Sequence, residues 1–231
     1  MLLLTKGNSK LKKGEKLGWE SWGLSLLPHS MVDGLNLCPR SAKACRDSCI
    51  VSVGFGSMPN VENARRVRTE LWRDDPSLFL VNLSDDLARL QEKASKGKKI
   101  SVRLNVFSDV KWEDYLDLTE FPDVQFMDYT KFRPWERNVP DNYDLTYSYR
   151  NTGTEKDRKE TLDIIGNGHR LSVVMGAELY DDVVSRGFAN IFGVDCEAFD
   201  GDAHDLRFLE GPGVVALKAK GKAIGGKFAV H

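Results

Sequence analysis

The chain has 231 residues, and its 33 lysines and arginines against 34 aspartates and glutamates leave a net charge of −1. A chain of this length buries a core large enough to fold without disulfide staples, and four cysteines are far fewer than a disulfide scaffold carries. The balanced charge argues against a nucleic-acid binder, and no apolar run approaches the roughly 18 residues of a membrane span. We therefore expect a soluble cytosolic protein with no membrane partner, in which clustered cysteines bind metal or take part in catalysis.

The first half of the chain reads as a strand, a polar loop and two helices. Residues 18–28 (GWESWGLSLLP) are rich in aromatic and aliphatic residues with some alternation, which is typical of a strand or a hairpin edge. A cysteine-containing loop follows, and then apolar residues recur at helical spacing in two segments. The two apolar stripes are Val61, Ala64, Val67, Leu71 and Trp72, and then Phe79, Leu80, Leu83, Leu87 and Leu90.

Strands and short helices alternate through the rest of the chain. Helices are predicted at 110–118, at 154–168 with Thr154 as the cap, and at 178–187. The predicted strands are 100–109, 124–130, 143–149, 170–176 and 190–195, with a last β-like stretch at 213–221. This alternation specifies a parallel sheet with crossover helices. We predict one α/β domain over residues 1–231 with mostly parallel strands, either open or curled into a partial, incomplete (β/α) barrel that resembles the barrel of radical enzymes.

Polar residues cluster where the predicted strands end. Because functional residues of parallel α/β folds lie at the carboxyl ends of the strands, these side chains form a candidate polar rim. The rim residues are Arg103, Asn105, Ser108, Asp109, Lys131 and Ser148. For the segment 103–109 an equally good interpretation is a buried polar network that joins neighbouring strands.

The loop 36–49, NLCPRSAKACRDSC, contains three of the four cysteines at the spacing C-x6-C-x3-C. Cys45 and Cys49 are four residues apart, so one helical turn would place both thiols on one face, and Cys38 lies in the approach to that turn. Arg40, Lys43 and Arg46 stand among them, and nearby cations favour the thiolate that binds metal.

The fourth cysteine, Cys196, directly follows the predicted strand 190–195. Its place after an apolar strand is consistent with a small buried hydrophobe or with a fourth metal ligand. We predict that Cys38, Cys45, Cys49 and Cys196 together bind one [4Fe–4S] cluster, because iron–sulfur ligands tolerate varied loop lengths. Structural zinc, the alternative metal, usually uses pairs of short C-x2–4-C knuckles, and this chain has none.

The three-cysteine loop also suggests a radical enzyme. Such enzymes hold a [4Fe–4S] cluster by three cysteines, usually spaced C-x3-C-x2-C, in the loop after the first barrel strand, and the open iron binds S-adenosylmethionine. The spacing here departs from that motif. A fourth thiolate from Cys196 would close the open iron, so S-adenosylmethionine is expected as a cofactor only if Cys196 is not a ligand.

Several stretches together resemble a bacteriophage family of gene-product-88-like proteins. They are, in chain order, WGLSLLPHSM, NLCPRSAKACRDSC, ARRVRTELW, VRLNVFSDVKWE, MDYTK, NYDLTYSYRN and DGDAHDLRF with GVVALKAKGKA, and the resemblance as a whole extends from about residue 5 to residue 228. The resemblance implies a phage protein that acts in the host cytoplasm, with the three-cysteine loop as a recurring feature. The resemblance leaves the biochemical role open.

Three functions follow from these observations as hypotheses. The first is a phage iron–sulfur protein with four cysteine ligands and a redox, electron-transfer or structural role. The second is a radical S-adenosylmethionine-like enzyme with an atypical motif and an open iron. The third is a zinc-stapled binder of a host protein, a phage protein or, through the basic residues 218–227, a nucleic acid, although the overall charge argues against nucleic acid.

Overall fold

The computed structural model describes residues 1–6 and 12–231. The described α-helices are α1 (Lys43–Asp47), α2 (Pro59–Asp74), α3 (Pro76–Ser95), α4 (Glu155–Gly166) and α5 (Ala177–Arg186). The described strands are β1 (Leu4–Thr5), β2 (Trp19–Leu24), β3 (Lys99–Arg103), β4 (Val124–Thr130), β5 (Tyr143–Ser148), β6 (Leu171–Met175), β7 (Phe188–Ile191), β8 (Val194–Asp200) and β9 (Val214–Lys218). Between β3 and β4 the predicted helix 110–118 is two short 3₁₀ turns, Trp112–Asp114 and Leu118–Glu120.

The strands form one sheet in the order β1-β2-β3-β4-β5-β6-β9-β8-β7. The strands from β2 to β8 in this order pair in parallel, whereas β1 and β7 pair antiparallel at the two edges. The prediction of a mixed α/β fold with a mostly parallel sheet is therefore confirmed. The sheet does not close, since the edge strands pair with one neighbour each within the described chain.

Two apolar clusters cover one face of this sheet. In the first, α3 buries Phe79, Leu83 and Leu87 completely against β3 and β4, which confirms the predicted stripe. Full burial of each such side chain contributes about 1.5–3 kcal/mol. The second cluster joins β6 and β9 to α4 and α5. The helix α4 begins where predicted, because the Thr154 hydroxyl accepts a hydrogen bond from the Asp157 amide at 3.2 Å.

The predicted stripe of α2 is partly wrong. Val67 is 44% exposed, whereas the buried side of the helix presents Arg65, Thr69 and Trp72. The Thr69 hydroxyl accepts a hydrogen bond from the Leu27 amide, and Arg65 donates to backbone carbonyls of the loop before the helix. Tertiary hydrogen bonds therefore decide which face of this helix is buried, and hydrophobic spacing alone did not indicate it.

The opposite face of the sheet is polar. Register places Ser21 beside Ser101, whose hydroxyls share a hydrogen bond of 2.7 Å, and Ser148 beside Ser172. The segment between β8 and β9 packs on this face, and its Leu206 contacts Met127. All helices from α2 to α5 thus lie on one face, and a connecting segment covers much of the other.

The predicted fifth strand, 190–195, is wrong. The chain reverses in its middle, at Phe192 and Gly193, to form the β7–β8 hairpin. Both turn residues have positive φ, 52° and 94°, as a type I′ turn requires. The Asn190 side chain stabilises the turn, since it accepts from the Gly193 amide at 2.9 Å and donates to Asp195 at 2.8 Å.

The segment after β9 packs on the cysteine loop. The Ser48 hydroxyl contacts the Lys222 carbonyl at 3.5 Å. Gly221, with a φ of +54°, lies so close to Val53 that a Cβ would stand 2.5 Å from Val53 Cγ2. The loop that follows the first parallel strand and the tail that follows β9 therefore meet. Among the described helices, none combines the length and apolar character that crossing a bilayer needs.

Candidate functional site

The cysteine loop lies at the carboxyl end of the parallel sheet. The backbone amide of Asp109 donates to the Leu37 carbonyl at 2.7 Å, and the Cys38 thiol lies 3.4 Å from the Phe107 carbonyl. Phe107 and Asp109 belong to the connection that leaves the carboxyl end of β3. These bonds fix Cys38 beside the predicted polar rim.

The other two thiols of the loop follow within one short helix and its exit. Cys45 lies in α1, and Cys49 lies two residues after that helix ends. Each of the three thiols is half-buried. Cys49 interacts electrostatically with both Cys38 and Cys45. The three loop cysteines therefore lie in one region of the fold, and their joint role as metal ligands stays a prediction.

The protonation of these thiols differs from the prediction. Burial raises the pKa of the Cys38 thiol to about 12, and burial also raises the pKa of Cys49. The positive charge of Lys131 opposes the rise for both thiols without reversing it. The expectation that cations hold the loop cysteines as thiolates is therefore wrong for these two, because desolvation outweighs charge.

The loop's own cations are engaged elsewhere. Arg40 pairs with Glu136 at 2.8 Å, Lys43 pairs with Asp47 at 2.5 Å, and Arg46 donates to the Ser41 carbonyl. These contacts explain why adjacency in sequence was a poor guide to the charges that act on the thiols.

A buried arginine that the sequence did not single out supports the loop from behind. Arg65 is 4% exposed, donates to the carbonyls of Val51 and Gly56, and stacks over the Phe107 ring at 4.7 Å. Its charge lowers the pKa of Cys49 against the effect of burial. In the sequence, Arg65 falls on the same helical face as Thr69 and Trp72. Because a charged residue is rarely buried without partners, its position on that face was the signal that could have pointed to this role.

Cys196 lies apart from the other three cysteines. It stands at the amino end of β8, two residues before the first β8–β9 register pair, whereas the loop lies at the carboxyl end of the sheet. Its side chain packs on the helix-covered face with the cluster around β6 and α5. The structure therefore does not bring Cys196 to the loop, because the Phe192–Gly193 turn makes it part of an edge hairpin.

Two of the predicted rim residues form a buried network. The Asn105 side chain accepts hydrogen bonds from Ser108 (2.8 Å), the Val110 amide (2.9 Å) and the Trp112 indole (3.2 Å). It also donates to Asp128 at 3.2 Å. For Asn105 and Ser108 the structure agrees with the interpretation of a polar network that joins strands.

The remaining rim residues divide between two places. Arg103 lies on the polar face, where it pairs with Asp205 at 3.0 Å and stacks over Tyr129 at 4.8 Å. Asp109, Lys131 and Ser148 lie at the carboxyl end with the cysteine loop. Lys131 Nζ donates to Ser148 Oγ at 3.1 Å, and its backbone amide donates to Asp109 at 2.8 Å.

The three loop thiols have the donor chemistry that iron–sulfur clusters and zinc require. Within the described ranges no group of three or more His, Cys, Asp or Glu side chains is already arranged to hold a metal ion. Any metal would thus be bound with rearrangement of the thiols and release of their protons. Both changes are open to side chains on a short helix and a loop.

The sequence matches a known protein family. A family model described as gene product 88 matches residues 2–231. The chain belongs to the gene product 88 family. This match confirms the resemblance that the motifs indicated. No curated protein and no solved structure matches the chain. For this gene product 88 chain, the basis for a function is therefore the chemistry of the cysteine loop and its surroundings.

Proposed function

We propose that the chain binds one [4Fe–4S] cluster through Cys38, Cys45 and Cys49, that one iron has no protein thiolate, and that the site serves radical S-adenosylmethionine chemistry. The observation that carries this proposal is the separation of the cysteines. Three thiols share one loop at the carboxyl end of the sheet, and Cys196 lies at the other end on the helix-covered face. A cluster with four cysteine ligands would need Cys196 in the loop's vicinity.

The surroundings of the loop fit a cluster. Thiolates are the usual ligands of iron–sulfur clusters, and a cluster with its sulfides adds negative charge to the site. Arg65 and Lys131 provide positive charge next to Cys49, and Lys131 also acts on Cys38. These two positive charges would offset the negative charge that thiolates and sulfides bring to the loop.

The fold supports the same proposal. We interpret the sheet as a partial (β/α) barrel, because helices cover one face and the segment between β8 and β9 covers the polar face. The contact between Ser48 and Lys222 brings the loop after β2 to the tail after β9, as curling of the sheet would require. Reactive groups of parallel α/β barrels lie at the carboxyl ends of the strands, where this loop lies.

Anaerobic reconstitution with iron and sulfide tests the cluster. We expect about four irons and four sulfides per chain, with visible absorption and an electron paramagnetic resonance signal after reduction. Cys38→Ser, Cys45→Ser and Cys49→Ser should each lose most of the iron. Cys196→Ser is the matched control and should load like the wild type. Stoichiometric zinc without iron would refute the cluster, and loss of iron in Cys196→Ser would restore the four-cysteine alternative.

A second assay tests the chemistry. With dithionite as the electron donor, one electron passed to S-adenosylmethionine breaks the bond between its sulfur and the 5′ carbon, which releases methionine and leaves a 5′-deoxyadenosyl radical. That radical takes a hydrogen atom from a substrate or, without one, from the buffer, so methionine and 5′-deoxyadenosine are the products to measure. We expect both products from the loaded wild type and from Cys196→Ser. A loaded protein that yields neither product would be a carrier or a scaffold, and the radical part of the proposal would fall.

A further inference from the structure

Lys131 is placed like a ligand-binding residue. It directly follows β4 at the carboxyl end of the sheet, and register puts it on the polar face with Ser148, the last residue of β5. Its side chain is half-buried. The ammonium group donates to the Ser148 hydroxyl at 3.1 Å, a neutral partner.

The charge of Lys131 has no ion-pair partner in the part of the chain that the structure describes. Asp109 is close enough to feel this charge, but its two oxygens accept from the Thr130 hydroxyl and the Lys131 backbone amide, both at 2.8 Å. Two arginines near this end of the sheet differ in this respect, since Arg40 in the cysteine loop pairs with Glu136 and Arg150, two residues after β5, pairs with Asp157. A half-buried ammonium with one neutral contact is a natural partner for an anion.

The position of Lys131 relative to the thiols indicates where that anion would lie. Asp109 joins Lys131 to the cysteine loop, because the Asp109 carboxylate accepts from the Lys131 amide at 2.8 Å and the Asp109 amide donates to the carbonyl of Leu37, the neighbour of Cys38, at 2.7 Å. The Ser148 hydroxyl accepts the hydrogen bond from Lys131, so its own hydrogen is free to donate. Together the two side chains offer two donors to one group beside the cysteine loop.

We infer that Lys131 and Ser148 bind the carboxylate of a small ligand held at the three-cysteine site. This inference rests on the proposed function, since it takes the ligand to lie at the cluster. The ligand class is a molecule with a carboxylate, and the amino-acid end of S-adenosylmethionine is the probe. Lys131 binds the carboxylate directly, and Ser148 orients Lys131 and adds a second donor.

The test compares two ligands on cluster-loaded protein. S-adenosylmethionine carries the carboxylate, and decarboxylated S-adenosylmethionine lacks it. Binding is measured by isothermal titration and by the change in the electron paramagnetic resonance signal of the reduced cluster, so no turnover is needed. We expect Lys131→Met to weaken S-adenosylmethionine binding at least tenfold and to change binding of the decarboxylated ligand less than twofold. Ser148→Ala should weaken S-adenosylmethionine binding severalfold, and Lys131→Arg should retain most of it.

Lys222→Met is the matched control, because it removes a lysine from the tail that packs on the cysteine loop. It should leave both affinities unchanged. If Lys131→Met weakens both ligands equally, or neither, Lys131 has only an electrostatic or structural role and the inference is overturned. Iron and sulfide contents of every variant are measured first. A wild type without iron would defeat the proposed function, whereas equal iron in all variants with unequal binding bears on Lys131 alone.

Discussion

The cysteine loop and the β7–β8 hairpin place the same side chain in two different settings. In the loop, Cys38 lies at the carboxyl end of the sheet, within reach of the charges of Asp109 and Lys131. In the hairpin, Cys196 packs beside apolar side chains on the helix-covered face, and Asp195 is the charge that acts on it. Both thiols have a raised pKa because of burial, but one belongs to a group of three and the other has no thiol near it.

This contrast shows that the position of a cysteine in the fold determines its chemistry. The loop lies beside buried polar groups, such as Asn105 in the connection after β3 and Arg65 on α2, and both make hydrogen bonds within the structure. The hairpin is held by a turn and by cross-strand pairs at the sheet edge. We therefore expect changes in the loop and its support to alter reactivity and metal binding, and changes in the hairpin to alter stability slightly.

The largest expected difference between the two regions is in the reactivity of their thiols. Burial raises the pKa of Cys38 from an ordinary 9.0 to about 12. The thiolate is the nucleophile, so Cys38 in metal-free folded protein at pH 8 should react with iodoacetamide roughly a thousandfold more slowly than in urea-unfolded protein. Site-resolved mass spectrometry over time measures both rates. Because the folded state favours the neutral thiol, its contribution to stability is present below pH 9 and is lost as the pH rises toward 12.

Cys196 is the internal reference for that experiment. Cys196 lies apart from the three loop thiols. We expect iodoacetamide to alkylate Cys196 before Cys38 in the same folded sample. In the unfolded sample all four cysteines should react at similar rates. Equal rates for Cys38 and Cys196 in the folded protein would break the comparison between the two regions.

The next effect concerns the support beneath the loop. Asn105→Ala removes the acceptor for Ser108, Val110 and the buried Trp112 indole. Buried groups left without partners cost about 1–3 kcal/mol each, and partial relaxation should limit the total loss of unfolding free energy to about 2–4 kcal/mol. Urea unfolding at pH 7 measures it. The matched variant Asn190→Ala removes turn contacts at the exposed hairpin and should cost about 1 kcal/mol or less. Similar costs for the two would mean that the loop has no special support.

Much of this architecture could be predicted from residue patterns. The strand β4, the helix α4 with its Thr154 cap and the stripe of α3 appear in the structure as predicted, because each is a long periodic segment with clear ends. The hairpin was missed because the turn places a phenylalanine, Phe192, at positive φ. The pattern Asn190-x-x-Gly193 was the available turn signal, and the apolar residues around it read as one continuous strand.

The sequence predicted the cysteines of the candidate site but not the charged residues that surround them. The three loop cysteines are close in sequence, so their proximity in space followed from the loop alone. The charges that act on them come from Arg65 and Lys131, which lie on α2 and after β4. Such contacts depend on the packing of distant elements, and no spacing rule within the loop contains them. The position of Cys196 could not be predicted for the same reason, since it depends on the direction of an edge hairpin.

The smallest expected effect is on Cys196 itself. Its side chain is half-buried against apolar neighbours, so Cys196→Val should change the unfolding free energy by less than about 1 kcal/mol, and Cys196→Ser should destabilise by about 1 kcal/mol. Urea unfolding of the metal-free proteins measures both. We expect this small cost to be confined to stability, because the described contacts between the hairpin and the loop are indirect: they run through the sheet and through the tail after β9, whose Val230 packs in the same cluster as Cys196. A Cys196 variant with altered alkylation of Cys38 would show that the two regions are coupled, and the division between a reactive loop and an inert hairpin would have to be abandoned.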